Sequence, residues 1–448
     1  MAFGFQMRSA ARRVLCAGPA SLTPPASPAL PAAAALVARW SADAITPQAN
    51  DTPLAGWTDA VSGMAATPPT PAARPRYRTG GAGGKPFILF GGDQLLDAGA
   101  DNAVAAACRS GTSTVLLVCR DVQSTAFGFL FTATPSTGYN LFHNGAEAGF
   151  FGQGLQRAPH TGTGLTTLCY TGGVPEPSLG RAYLNGTCLN AQGNVPSGAG
   201  DHVAIGGSPA LGFVGAKAEI YEVIAWNRAL SAAEVMAAEK WVRDKYRAPY
   251  PWAGGPFRVF HGDSITNGTD STGALKSYPA RVAARNGWAF GSWTNLGHGG
   301  QSMAGLRAEA LAEIDPMVPL LGATPLHLAA WEWFNQRSAP DPQGETASYF
   351  RARRAAGVAR LVLATGTDAT DAVEDGGTLS KRQAYDAWFD AQWRTCADAY
   401  VPLHLDARIG VEGACPAAAP YGPYFSDGIH LTDAGYDAVA ELIAPAMA

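Results

Sequence analysis

Four stretches of the second half of the chain carry residue types able to make and break an ester bond. The first is His261-Gly262-Asp263-Ser264-Ile265-Thr266-Asn267-Gly268, directly after the apolar run Phe257–Phe260. A serine in a tight glycine-containing turn behind a strand presents its hydroxyl at the sheet's carboxyl edge. It is inert until a neighbouring base takes its proton. The last stretch, Tyr424-Phe425-Ser426-Asp427-Gly428-Ile429-His430-Leu431-Thr432, supplies such a base. Asp427 and His430, three apart on one loop, can lie side by side, with the carboxylate orienting the imidazole and stabilising its protonated form. Acyl transfer also needs donors for the developing oxyanion. Asn295-Leu296-Gly297-His298-Gly299-Gly300-Gln301-Ser302 offers bare main-chain N–H groups, and Trp331-Glu332-Trp333-Phe334-Asn335-Gln336 offers the Asn335 amide. Taken singly each motif has a structural reading: a serine in a helix-capping turn, a capping Asp beside a surface His, a glycine turn, an Asn at a helix start.

The elements around these loops alternate. Strands are expected at Phe257–Phe260, Ala289–Asn295, Leu326–Trp331, Arg360–Ala364 and Pro402–Leu405. Helices are expected at Leu275–Arg285, Ser302–Ile314, Glu345–Ala356, Lys381–Tyr400 and Asp433–Ala444, the last ended by Pro445. Repeated βα units predict a parallel sheet with helices on both faces, whose function gathers beyond the strands' carboxyl ends. Each of the four loops falls there. A G-x-S-x-G elbow is not formed, because Thr266 takes its last position. An Asp and a His three apart also do not suit the α/β-hydrolase arrangement, where they come from separate loops.

Together the four loops resemble the GDSL/SGNH hydrolase superfamily, over about residues 257–448. The first signature block matches at Gly262-Asp263-Ser264, with Ile265 where Leu is usual. The second matches at Asn295, Gly297, Gly300 and Ser302, and the last at Asp427 and His430. The third departs from G-x-N-D, retaining Asn335 but carrying Trp333 and Gln336 in place of Gly and Asp. The resemblance implies a three-layer α/β/α, flavodoxin-like domain. It assigns the nucleophile to Ser264, the base to His430, its orienting acid to Asp427, and the oxyanion hole to the N–H groups of Ser264 and Gly300 with the Asn335 side chain. The chemistry so implied requires no metal or organic cofactor.

The first half reads differently. Between about Leu36 and Tyr221 short apolar runs such as Thr114–Cys119, Gly128–Thr132, Leu165–Tyr170, Arg181–Leu184 and His202–Ile205 alternate with turn signals, as in an all-β sandwich. Asn185-Gly186 predicts a two-residue hairpin turn. Ala218–Trp226 reads as a strand. Ser231 with Glu234 forms a capping box for a helix over Ala232–Tyr246, and Pro249 and Pro251 follow. This ending resembles that of concanavalin-like, laminin-G-type jelly-roll modules, many of which bind glycans. The expected organisation is a Pro/Ala-rich leader (1–37, or a degenerate export signal), a sandwich (38–248), a linker (249–256) and the hydrolase-like domain (257–448).

Composition narrows the partners. The chain has 448 residues, 47% hydrophobic and 15% charged, with a formal net charge of -4. Without clustered Lys and Arg a nucleic-acid partner is not expected, and no apolar run is long enough for a membrane span. The seven cysteines form no CxxC pair. Cys169 with Cys188, and Cys396 with Cys415, are either local disulfides or buried thiols. The low charge fraction points to an extracellular or particle-associated address. The expected substrate is a small-molecule or polysaccharide ester, with short acyl groups on carbohydrate first. Trp331 and Trp333 either stack on sugar or pack in the core, and the sandwich offers a possible glycan site. The rival readings are a glycan-binding adhesin or phage-tail-type protein with little or no hydrolysis, and a lipase-like acyl hydrolase.

Overall fold

A computed structural model of the chain describes residues 29–123, 128–134, 139–144, 146–151, 155–160, 164–193, 202–209, 215, 217–370 and 378–448. Residues 1–28 of the expected leader, Cys16 included, lie outside them. Residues 31–37 are part of the sandwich. The Trp226 indole donates to the Pro31 carbonyl (3.0 Å), and Leu36–Ser41 pairs with Lys217–Trp226.

The N-terminal half is an antiparallel sandwich of a nine-stranded and a six-stranded sheet among the described residues. The long strands Thr114–Gln123 and Lys217–Trp226 pair at the centre of the larger sheet, and Phe150 stacks on Tyr170 across the core (3.5 Å between ring centroids). Asn185 and Gly186 both have positive φ (52° and 86°), as the type I′ turn requires. Ser231 and Glu234 complete the capping box at the start of Ala232–Tyr246.

The C-terminal half is a five-stranded parallel sheet. Its strands are β1 (Phe257–Gly262), β2 (Trp293–Gly297), β3 (Leu326–Trp331), β4 (Arg360–Ala364) and β5 (Ala399–Val401). They lie in the order β2-β1-β3-β4-β5, with β1 and β3 side by side where the chain order reverses. The chain is thus a β-sandwich followed by an α/β domain. Two strand expectations shift. β2 starts at Trp293, not Ala289, and continues to Gly297. β5 precedes Pro402, which has no N–H to donate to a ladder, and Leu403–Leu405 forms a single 3-10 turn. The helix expected over Lys381–Tyr400 is Thr378–Gln392, and the final helix continues through Pro445 to Met447.

The two halves meet along an edge. Thr187–Gly193, the outer strand of the nine-stranded sheet, lies beside β2, the outer strand of the parallel sheet. Side chains join them. Thr187 Oγ1 donates to the Trp293 carbonyl (2.7 Å), the Cys188 N–H to Thr294 Oγ1 (3.2 Å) and Asn295 Nδ2 to the Leu189 carbonyl (2.8 Å). Each sheet so covers the other's open edge, which would otherwise invite pairing with another chain. Residues 249–256 are tied down rather than free, with Trp252 buried and stacked on Tyr250.

Of the two readings for the cysteine pairs, the buried thiols hold and neither disulfide is formed. Cys169 and Cys188 both lie in register with Tyr183, on strands either side of it. Two strand spacings, roughly 9–10 Å, exceed the reach of a disulfide. Both carry free thiols, as does Cys396, and burial pushes the Cys188 thiol up to about 12.

A buried ion pair crosses the junction. Arg181 of the sandwich lies 3.3 Å from Glu313 Oε1, while Glu313 Oε2 accepts the Ala232 N–H (2.6 Å). Arg181 is only 1% exposed, so removing it strands a buried carboxylate. Arg181→Met is expected to cost about 3–5 kcal/mol. Adding Glu313→Gln, which keeps an acceptor for Ala232, should recover most of that. Denaturation midpoints of wild type and of the single and double variants check this; a double variant no more stable than Arg181→Met would show that the stranded carboxylate is not the cause of the loss.

Candidate active site

The turn after β1 is shaped by packing. A Cβ added to Gly262 would lie 2.2 Å from Thr266 Oγ1 and 2.4 Å from the Trp331 carbonyl, so only glycine lets β1 run this close to β3. Asp263 follows as N-cap, its Oδ1 accepting the Ile265 N–H (2.9 Å), and Ser264 opens the short helix Ser264–Asn267. The other end of that helix is held by the sandwich. The Asn267 side chain exchanges two hydrogen bonds with the main chain of Ala191, at 2.7 and 3.1 Å.

His430 reaches Ser264 from the loop before the final helix. Its Nε2 lies 3.0 Å from Ser264 Oγ, and its Nδ1 lies 2.8 Å from Asp427 Oδ2. Asp427 Oδ1 accepts the N–H groups of Ile429 (2.7 Å) and His430 (2.6 Å). Burial raises the Asp427 carboxyl, but the His430 ring and these N–H groups outweigh it and hold the group below its usual range. A second carboxylate, Asp270 Oδ2, stands 3.9 Å from the same ring nitrogen and accepts the Ser426 hydroxyl (2.9 Å). The loop is fixed to the serine turn through the final helix. Tyr436 donates to the Thr269 carbonyl (2.5 Å), and Asp433 accepts from Thr272.

The donor loops converge on the same edge. In the loop after β2, a Cβ on Gly299 would meet Ser264 Cβ at 3.7 Å, ordinary contact distance, and Gly300 has φ 79° with open space beside it. Asn295 is a brace: Nδ2 donates to the carbonyls of Leu189 and Thr266 (both 2.8 Å), and Oδ1 accepts the Gly297 N–H (2.9 Å). His298 Nδ1 pairs with Glu309 Oε1 (2.5 Å), and Glu309 Oε2 is 3.7 Å from His261 Nε2. Burial raises the Glu309 carboxyl, but the two imidazoles draw it down to about 2.

After β3 comes the turn Phe334–Gln336. Trp333 stands where the signature has glycine, with φ −135°, a backbone that needs no glycine. The room for its ring comes from Gly366 after β4, where a Cβ would lie 3.1 Å from Trp333. Gln336 replaces the signature's Asp and closes the turn, its Nε2 donating to the Glu332 carbonyl (2.9 Å) and Thr346 Oγ1 (3.1 Å). Asn335 Nδ2 donates to Asp263 Oδ2 (3.3 Å), which places the amide against the residue preceding Ser264.

Ser264, Asp427 and His430 are thus joined by hydrogen bonds. Asn335 is linked to the serine turn through Asp263, and Gly300 follows the glycine in contact with Ser264. Trp331 and Trp333 are both buried (1% and 0% exposed), against Tyr278 and Tyr385, so neither offers a face to a sugar ring. Sequence reasoning passed over Asp263, Glu332, Asp270 and Asn267. A lone acid among Trp331, Trp333 and Phe334 was the available signal for Glu332. Asp270, Asp427 and His430 present ligand atoms within 4.8 Å of one another, but the shared imidazole nitrogen is already engaged by Asp427.

No family model matches this sequence, and no curated protein matches it. Among solved structures it is similar to a lipolytic protein of the G-D-S-L family from Veillonella parvula, with 16% identity, 43% of this chain and 97% of that chain covered, and a TM-score of 0.33. A GDSL-like lipase from Bacteroides thetaiotaomicron is 17% identical, with 47% and 96% covered and a TM-score of 0.33. A Trypanosoma rangeli sialidase is 15% identical, with 49% and 35% covered and a TM-score of 0.35, so the chain spans about a third of that enzyme. Likenesses this slight carry neither a family nor an activity to this chain.

Proposed function

We propose that this protein is a serine esterase working through an acyl-enzyme. The observation that carries the reading is the continuous path Asp427 Oδ2–His430 Nδ1 (2.8 Å) and His430 Nε2–Ser264 Oγ (3.0 Å) at the carboxyl edge of a parallel sheet. His430 takes the Ser264 proton as Oγ attacks the ester carbonyl, and Asp427 stabilises the imidazolium that forms. The N–H groups of Ser264 and Gly300 and the Asn335 amide receive the oxyanion. The imidazolium returns its proton to the departing alcohol. Water, activated by the same base, then cleaves the acyl-enzyme.

The substrate class we propose is a short acyl ester, acetyl first, carried on carbohydrate. The tryptophans lend it no support, since both are buried. It rests on the sandwich joined to the esterase domain, and jelly-roll modules of this kind are frequent glycan binders.

Ser264→Ala is expected to lower kcat on p-nitrophenyl acetate by about 10⁴-fold or more, with unchanged circular dichroism. Turnover at the wild-type rate would sink the esterase reading, and glycan binding without hydrolysis of any ester would favour an adhesin. Asp427→Asn should cost less than the roughly 10⁴-fold usual for a triad acid, because Asp270 stands 3.9 Å from the same nitrogen. Steady-state kinetics of Asp427→Asn with and without Asp270→Asn test this substitution. An equal rate for the two would rule out a supporting part for Asp270.

A further inference from the structure

Two buried carboxyl groups hold Asn335 from opposite ends. Glu332 Oε1 accepts the Asn335 main-chain N–H (2.6 Å), and Asp263 Oδ2 accepts its side-chain amide (3.3 Å). Glu332 is 1% and Asp263 2% exposed. The Glu332 carbonyl is fixed in turn by Gln336 Nε2 (2.9 Å) and the Tyr385 hydroxyl (3.4 Å). Its other carboxyl oxygen, Oε2, is buried without a hydrogen-bond partner.

We propose that Glu332 is a positioning residue for the oxyanion site, fixing the main chain of Asn335 so that the amide braced by Asp263 keeps its second N–H for the substrate. This rests on the esterase reading above and on the part given there to Asn335. Two carboxylates so enclosed cannot both stay charged. Asp263 is the better anion, since it faces the Ile265 and Thr266 N–H groups, the Asn335 amide and the His430 ring; burial still raises it to about 6. Burial and the charge of Asp263 push Glu332 well above the carboxylate range. The charged and titratable groups facing the pair are His430, Tyr278, Tyr385 and Tyr436, and burial raises all three phenols, so they stay neutral. Of the two, Glu332 is therefore the one that favours the protonated form. A neutral carboxyl accepts the Asn335 N–H through its carbonyl oxygen and puts no second negative charge beside the developing oxyanion.

The test uses the full chain and p-nitrophenyl acetate. Glu332→Gln keeps a neutral acceptor at the same place, so kcat should stay within about threefold of wild type. Glu332→Ala should lower kcat by about 10- to 100-fold with KM within about twofold. In an Asn335→Ala background Glu332→Ala should add almost nothing, because its effect passes through Asn335. Additive losses, or a loss confined to KM, would overturn the proposal. So would a Glu332→Gln variant as impaired as Glu332→Ala. Infrared difference spectra of wild type against Glu332→Gln at pH 7 give a readout independent of turnover and of the folding of Glu332→Ala. A neutral-carboxyl band lost in the variant is expected, and an ionised band in its place refutes the neutral acid. If instead Ser264→Ala turns over like wild type, the esterase reading itself fails, which the infrared result leaves untouched.

Discussion

The junction between Thr187–Gly193 and β2 is the constraint on which the rest depends. It forms where two sheets each have an open edge, and it joins them by side chains instead of a continued ladder. Asn295 and Asn267 are the pivots. Asn295 ties the Leu189 carbonyl to the Thr266 carbonyl, inside the serine turn, and its Oδ1 holds Gly297 at the start of the glycine loop. Asn267 fastens the end of the serine helix to Ala191. The nucleophile turn and one donor loop are therefore set against sandwich main chain. A bundle of short-range hydrogen bonds of this kind restricts both loops, as the proposed chemistry would require.

Charge around the serine is arranged in layers. Asp427 faces the outer nitrogen of His430 and is held ionised, with Asp270 as a second, more distant carboxylate. Beneath, Asp263 accepts from the Asn335 side-chain amide. Behind the glycine loop, Glu309 draws in His298 and His261, and the His261 ring also meets the Tyr349 hydroxyl at 2.7 Å. Glu332, behind Asn335, has one carboxyl oxygen buried without a hydrogen-bond partner. An enclosed acid that lacks a donor favours its protonated form.

The parts legible in sequence are those encoded locally. The alternation of strands and helices, the Asn185-Gly186 turn and the Ser231–Glu234 box each depend on a few neighbouring residues, and the structure has them all. Ser264, Asp427 and His430 were legible because strand ends in a parallel sheet bring distant loops together at one edge. The sequence left the cysteines and the tryptophans open between two readings and misplaced β5, because each is decided by what lies opposite. Cys169 and Cys188 are separated by a whole strand, which spacing along the chain does not reveal. Trp333 is buried because Gly366, on another βα unit, leaves room for it.

The altered third loop follows the same logic. Besides the bond from Gln336 to the Glu332 carbonyl, the turn is fixed from outside: the Trp333 ring packs on Tyr385, while Gln336 reaches Thr346. These contacts come from the helices Pro342–Ala355 and Thr378–Gln392. A loop held by its neighbours can lose its local signals and keep its shape, provided the backbone N–H groups still find acceptors. Glu332 supplies that acceptor for Asn335. The acid in this apolar run and the two helices therefore hold the turn from different sides, Glu332 through the Asn335 N–H and the helices through Trp333 and Gln336.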